Sequence, residues 1–506
     1  MKITRRSFNS LLLGSAAASA SGCASVVPAR ELGVDSRAVL AFLDEAAAQE
    51  IELHSLMLYR HGALAVEGGW WPYRSDRLHM QHSLTKSVTA CGVGLAIAEG
   101  RFGLEDKVAA FFEDELPANA APALSQLTVR DLLTMQTGHG EGVSGSVWRQ
   151  ITSSWVTEFF KLPLVHEPGT TFVYNSASSF MLSALITRTT GQSLRDYLQP
   201  RLFAPLGMQN LLWDLGPGGI NPGGNGLSWT ALDTLKLGRL HLQNGQWQGR
   251  QILPASWVSE ATRAQAHNGR YGYHWWLGPG HGIYYAAGLF GQFCFVFPEH
   301  DAVLACTAGT TDEKLRDAVW RYFPAAFESA RGGDGELADR CRKLRLLTPL
   351  TLTRSPKSKE ISGRKFDMQP NEDRVVSVQF DFTSERCVFS MQDARGTHRI
   401  AVGLRDWIET DTTMTGGKLH HQYEPDKLRV LAGGRWLDER TFEMTWQFVE
   451  TAFRDTVICR FDGDALTLDR SVNVNSAATS RPTLHGAVHA LSSEVDVARA
   501  ASSAHP

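Results

Sequence analysis

Ser83 and Lys86 stand three residues apart in His82-Ser83-Leu84-Thr85-Lys86-Ser87, directly ahead of the small and apolar run 88–98. On a helix this spacing puts the hydroxyl and the amine on one face. The hydroxyl falls near the helix N-terminus, where unpaired backbone N–H groups and the dipole favour developing negative charge. The apolar continuation predicts a buried helix and a lysine stripped of much of its water. Burial drives a lysine toward its neutral, proton-accepting form. These two residues could therefore act as a nucleophile with its own base. The same four-residue pattern also arises by chance, and a serine there can serve simply as an N-cap, so the reading needs support from other segments.

That support comes from several stretches taken together. They are Arg60-His61-Gly62, the Ser83 segment, Gly103-Leu104-Glu105-Asp106-Lys107-Val108, and Leu127-Thr128-Val129-Arg130-Asp131-Leu132-Leu133-Thr134-Met135-Gln136-Thr137-Gly138. The chain resembles the penicillin-recognising serine hydrolases, the group of class C β-lactamases, DD-peptidases, family VIII esterases and 6-aminohexanoate-dimer hydrolases. The resemblance implies that Tyr174-Asn175-Ser176, delivered by the turn Glu167-Pro168-Gly169-Thr170, is the second motif. Tyr174 then relays protons between nucleophile and leaving group, and Ser176 helps hold Lys86. It implies that Ala286-Ala287-Gly288 is the third motif, with Gly288 letting a substrate lie against the strand. The N–H of Leu289 joins that of Ser83 as an oxyanion hole. Two departures stand out: the third motif lacks its cation, and Met135-Gln136-Thr137-Gly138 replaces the commoner His-Thr-Ser-Gly. Both resemble the esterase and aminohexanoate-oligomer hydrolase side of the group.

At 506 residues the chain exceeds a usual single core. A formal net charge of −3, with no basic block after the first residues, argues against nucleic acid and for small neutral or mixed substrates. The start, Thr4-Arg5-Arg6-Ser7-Phe8 followed by a short apolar run, is too short to span a bilayer and resembles a twin-arginine export signal. Ala20-Ser21-Gly22-Cys23 resembles a lipoprotein cleavage box, which makes Cys23 a candidate lipid anchor. The expected location is the periplasm or cell envelope, with no transmembrane helix in the mature chain. The seven cysteines show no paired spacing, so no disulfide framework is expected. No metal site or cofactor is expected either, and His420-His421 reads as a polar turn.

The alternating pattern around Arg60-His61-Gly62 predicts a hairpin, and 84–212 reads as mostly helical. The glycine- and proline-rich stretch 216–226 reads as a surface loop, and 271–276 and 284–298 as adjacent antiparallel strands. Beyond about 328 the character changes. Residues 329–360 are linker-like, while Val376, Val378, Phe380 and Phe382, and later Phe442, Met444, Trp446 and Phe448, alternate as half-buried strands.

The expected fold class is therefore α+β, a β-lactamase-like fold with an antiparallel sheet flanked by helices and an all-helical lobe, followed by a small antiparallel β domain. Expected boundaries are a signal segment over 1–27, the hydrolase domain over 28–328, a linker over 329–360, the β domain over 361–487 and a disordered tail over 488–506. The expected activity is hydrolysis of carboxylic esters or linear amides through a Ser83 acyl-enzyme. The alternatives are a β-lactamase or DD-peptidase, and a non-catalytic cell-envelope binding protein that kept the fold.

Overall fold

The computed structural model describes residues 26–143 and 145–489. The export signal, the Cys23 anchor site and the tail beyond 489 lie outside the described residues. An antiparallel sheet of six strands runs in the order Ala63–Gly69, Leu53–Arg60, Ala302–Ala308, Gln292–Phe297, Tyr284–Gly288, Trp276–Leu277. The first two strands are the expected hairpin, turning at His61 and Gly62, both at positive φ. Residues 284–298 are two strands rather than one, because Phe290 and Gly291 also take positive φ and reverse the chain.

The inner strands are buried on both faces. Phe293, Phe295 and Phe297 pack with the helices Ser36–Ala48 and Asp312–Ala326, while Cys294 and Val296 face the core shared with the helix Ala231–Leu242. This two-residue alternation with both sides covered is why these strands read as continuous apolar runs.

The helical lobe is built on Thr85–Ala98 and Ser176–Thr190. Glycine in a helix interior is destabilising by about 1 kcal/mol relative to alanine. At Gly94 that weakness admits Trp257, whose indole lies 2.5 Å from where a Cβ would be. Capping boxes at Thr128/Asp131 and Thr230/Asp233 start the helices Val129–Leu133 and Ala231–Leu242.

The stretch read as a linker holds a helix, Asp334–Arg342, whose Leu337 is buried in the core beside Ser36–Ala48. The β domain is a sheet of ten strands that runs from Gly396–Gly403, through the neighbours Lys365–Met368 and Leu484–Val488, to Ile408–Thr412. A pairing of Gly403, in one end strand, with Gly433 of Leu428–Trp436, the strand next to the other end, curls the sheet into a barrel-like closure, which leaves few free sheet edges. Phe380, Phe389, Trp446 and Phe461 fill its interior.

The barrel rests on the strand that leads to Ser83. Within Leu78–Met80, the N–H of Met80 donates to the carbonyl of Glu450 at 2.9 Å. Nearby, the Tyr73 hydroxyl donates to the Thr451 carbonyl, and Arg454 Nη2 meets Glu52 Oε2 at 2.6 Å. Among the described residues no helix is long and apolar enough to cross a membrane.

Candidate active site

Ser83 lies in a single tight turn, His82–Leu84, that runs straight into the helix Thr85–Ala98. Lys86, one turn further on, is almost completely buried. Its Nζ donates to Ser83 Oγ at 3.0 Å, to Ser176 Oγ at 3.0 Å and to the Gly224 carbonyl at 2.9 Å. No carboxylate is within ion-pair distance of this amine among the described residues, and burial lowers its pKa to about 7. In the neutral form two N–H donors remain for Ser176 and Gly224, and the lone pair is left for the Ser83 hydroxyl.

Tyr174 lies across Lys86, with Nζ 4.8 Å from its ring centre, and stacks on Trp276 at 5.5 Å. Burial pushes its phenol well above the usual range, and the Ser83 hydroxyl offsets only part of that rise. The residue is set by its neighbours in the chain. The N–H of Val173 donates to the Met135 carbonyl at 2.9 Å, and Asn175 caps the helix Ser176–Thr190 by accepting from the N–H of Ala177. Asn175 Oδ1 also accepts from the N–H of Val143, which ties the 139–155 loop to the same helix start.

Gly288 and Leu289 reach the same cleft as Ser83, Tyr174 and Ser176, a cavity of about 290 Å³. The requirement for glycine at 288 differs from the expectation. A Cβ there would sit 2.0 Å from the Gln81 carbonyl, so the missing side chain lets the strand Tyr284–Gly288 press against the turn that holds Ser83. Ala286 is fully buried and points to the core, while Ala287 lines the cleft.

A family model described as beta-lactamase matches residues 42–325, more than half of the chain. The chain belongs to the beta-lactamase family. It is an enzyme, a serine hydrolase. Protein Rv1367c of Mycobacterium tuberculosis is 26% identical over 268 residues, covering 42% of this chain and 67% of its own length. The 6-aminohexanoate-dimer hydrolase of Paenarthrobacter ureafaciens is 25% identical over 275 residues, 48% of this chain and 69% of that one. Esterase EstB of Burkholderia gladioli is 29% identical over 174 residues, 31% of this chain and 44% of its own length. The family match ends before the barrel begins.

Several residues of this beta-lactamase-family site escaped the sequence reading. The stretch 216–226 is not wholly a surface loop: residues 221–224 are buried, the Gly223 carbonyl accepts from Thr89 Oγ1 and that of Gly224 from Lys86. His274 bridges the lobe, with Nε2 2.9 Å from Ser179 Oγ, Nδ1 3.0 Å from the Leu133 carbonyl, and its own carbonyl accepting from Ser87. Burial, and then the nearby Lys86, lowers its pKa to about 3, so it is neutral. His420, read as part of a polar turn, is buried against Asp455 at 2.7 Å, and His421 projects from the barrel to line the cleft. No residue pattern could have announced a backbone carbonyl or a contact between distant domains.

Proposed function

We propose that Ser83 is the nucleophile of a hydrolase that cleaves carboxylic esters or linear amides. The observation that carries this reading is a buried lysine with no counter-ion among the described residues, 3.0 Å from a serine hydroxyl. Lys86 takes the Ser83 proton as Oγ attacks the substrate carbonyl, and the N–H groups of Ser83 and Leu289 receive the oxyanion. Tyr174, whose phenol holds its proton firmly, passes that proton to the departing alcohol or amine and is reprotonated from Lys86. Water then attacks the acyl-enzyme by the same route in reverse. Ser176 holds the amine in line throughout.

Two points favour esters and linear amides over β-lactams. Ala286 offers no cation on the third-motif strand, and the similar proteins include an esterase and a 6-aminohexanoate-dimer hydrolase. A fluorophosphonate probe is expected to label the wild type and not Ser83→Ala; equal labelling sinks the nucleophile assignment. The ratio of kcat/KM for p-nitrophenyl butyrate to that for a chromogenic cephalosporin is expected to lie well above one, and a value well below one makes the enzyme a β-lactamase. The proposal extends to export into the periplasm or cell envelope, supported by the paired arginines and short apolar run of the N-terminus. An uncleaved protein found only in cytosol refutes that part.

A further inference from the structure

We propose that Asp312 is a positioning residue of the oxyanion hole, its carboxylate holding the turn 289–291 so that the Leu289 N–H keeps its aim on the acyl carbonyl. This rests on the Ser83 hydrolase reading and deepens it. The turn joins the strands Tyr284–Gly288 and Gln292–Phe297 in three residues, and two of them, Phe290 at φ +68° and Gly291 at φ +89°, are left-handed. Glycine takes that conformation freely, but a phenylalanine stays in it only where its surroundings enforce it. Two side chains supply that constraint. Gln292 Nε2 lies 3.1 Å from the Leu289 carbonyl and 3.0 Å from that of Phe290. Asp312, the first residue of the helix Asp312–Ala326, accepts from the Gly291 N–H at 2.9 Å, and the Phe290 N–H also acts on its carboxylate. The same turn sets the Phe290 ring edge-on to His82 at 5.1 Å. One carboxylate thus braces Leu289 directly and Ser83 through the residue before it.

Asp312 is partly buried and lines the cleft with Leu289, Tyr174 and Ser83. Burial raises its pKa to about 6; Glu313 adds to the rise, and the Gly291 and Phe290 N–H groups and Arg316 oppose it. From the other elements packed around it, the phenols of Tyr174 and Tyr285 feel its charge, and both are pushed up. Arg149, elsewhere on the cleft wall, feels Asp214 and Tyr423 instead. An ionised carboxylate is a much stronger acceptor of backbone N–H groups than the protonated acid. The hole should therefore loosen as pH falls through about 6, below the pH at which Lys86 titrates.

Asp312→Asn tests this, because it keeps the shape and removes the charge, imitating the protonated acid at every pH. At pH 8 it is expected to lower kcat for p-nitrophenyl butyrate about tenfold with KM within about twofold, since an oxyanion donor acts in the transition state. The decisive readout is the wild-type-to-variant ratio of kcat/KM against pH, from which the Lys86 titration cancels. It is expected to fall from about ten at pH 8 to about two at pH 5 along a single titration near pH 6, because the wild type then carries the proton too. Asp312→Ala, which releases the turn altogether, is expected to cost about ten- to a hundredfold at pH 8, with a thermal melt beside it to report the fold. A ratio for Asp312→Asn below twofold at pH 8, or one that stays flat from pH 8 to pH 5, overturns the proposal; a carboxylate that only steadied the helix end would give that flat line. Failure of the underlying hydrolase reading looks different: the wild type turns over no ester and Ser83 is not labelled.

Discussion

Lys86 in the catalytic lobe and Asp455 in the barrel are about equally buried, yet their surroundings drive them to opposite ends. Lys86 meets two hydroxyls and a carbonyl, and burial without a counter-charge strips it toward neutrality. Asp455 accepts from His420 at 2.7 Å and from Arg470 Nε at 2.7 Å. Burial alone would push its carboxyl up, but His420 and Arg470 outweigh that and hold it below the usual range. A buried ionisable group left alone becomes a reagent, and one that is paired becomes a fastener.

The contrast breaks most visibly if the lone group is deleted. Lys86→Met is expected to lower kcat/KM by about 10²–10⁴-fold while leaving the chain folded, the range for loss of a positioned general base. Steady-state kinetics beside a thermal melt would show it; a loss below tenfold moves the base elsewhere. Deleting the fastener acts on stability instead. Asp455→Asn leaves Arg470 and His420 facing an uncharged amide, and should destabilise the fold by about 3–5 kcal/mol in denaturant titration. A change under about 1 kcal/mol would mean the barrel network tolerates an open charge.

A sharper test turns one kind of site into the other. Ser176→Asp would give Lys86 a carboxylate partner and raise its pKa to about 8 or above, cutting turnover at pH 7 by about fivefold or more and moving the rising limb of the pH profile upward. An unmoved limb would show that Lys86 is not the group being titrated. The smallest effect is in the unmodified enzyme. Because the neutral amine is the active form, kcat/KM should rise as pH climbs through about 7 and then level off. The gain from pH 7 to pH 8 is then only about twofold, and a profile that falls over that interval contradicts the assignment.

How much of this could be read from the residues follows from what kind of interaction is involved. The Ser83–Lys86 pair and the two-residue alternation of the barrel strands are local, so spacing pointed to them. Tyr174 and Ser176 were reached through motif resemblance, and the structure brings both to Lys86. The Gly224 acceptor stayed hidden because a carbonyl belongs to every residue. Gly288 was found for a different reason from the one the packing supplies. Arg149 and His421 are hundreds of positions apart and meet only when the barrel docks. The linker reading overlooked the Asp334–Arg342 helix because a glycine-rich entry masks a helix that has little apolar surface beyond Leu337.

One backbone detail ties the two domains together as a matter of inheritance. His82, directly before Ser83, has φ +47°, a left-handed conformation that glycine adopts at far smaller expense than histidine. What histidine adds is contact: its ring packs edge-on against Phe290 of the sheet and against His421 and Phe453 of the barrel. The residue that aims the serine is therefore gripped by a domain outside the family match. A substitution at Phe453 therefore also reaches the residue next to the nucleophile, and the two domains are expected to diversify in step.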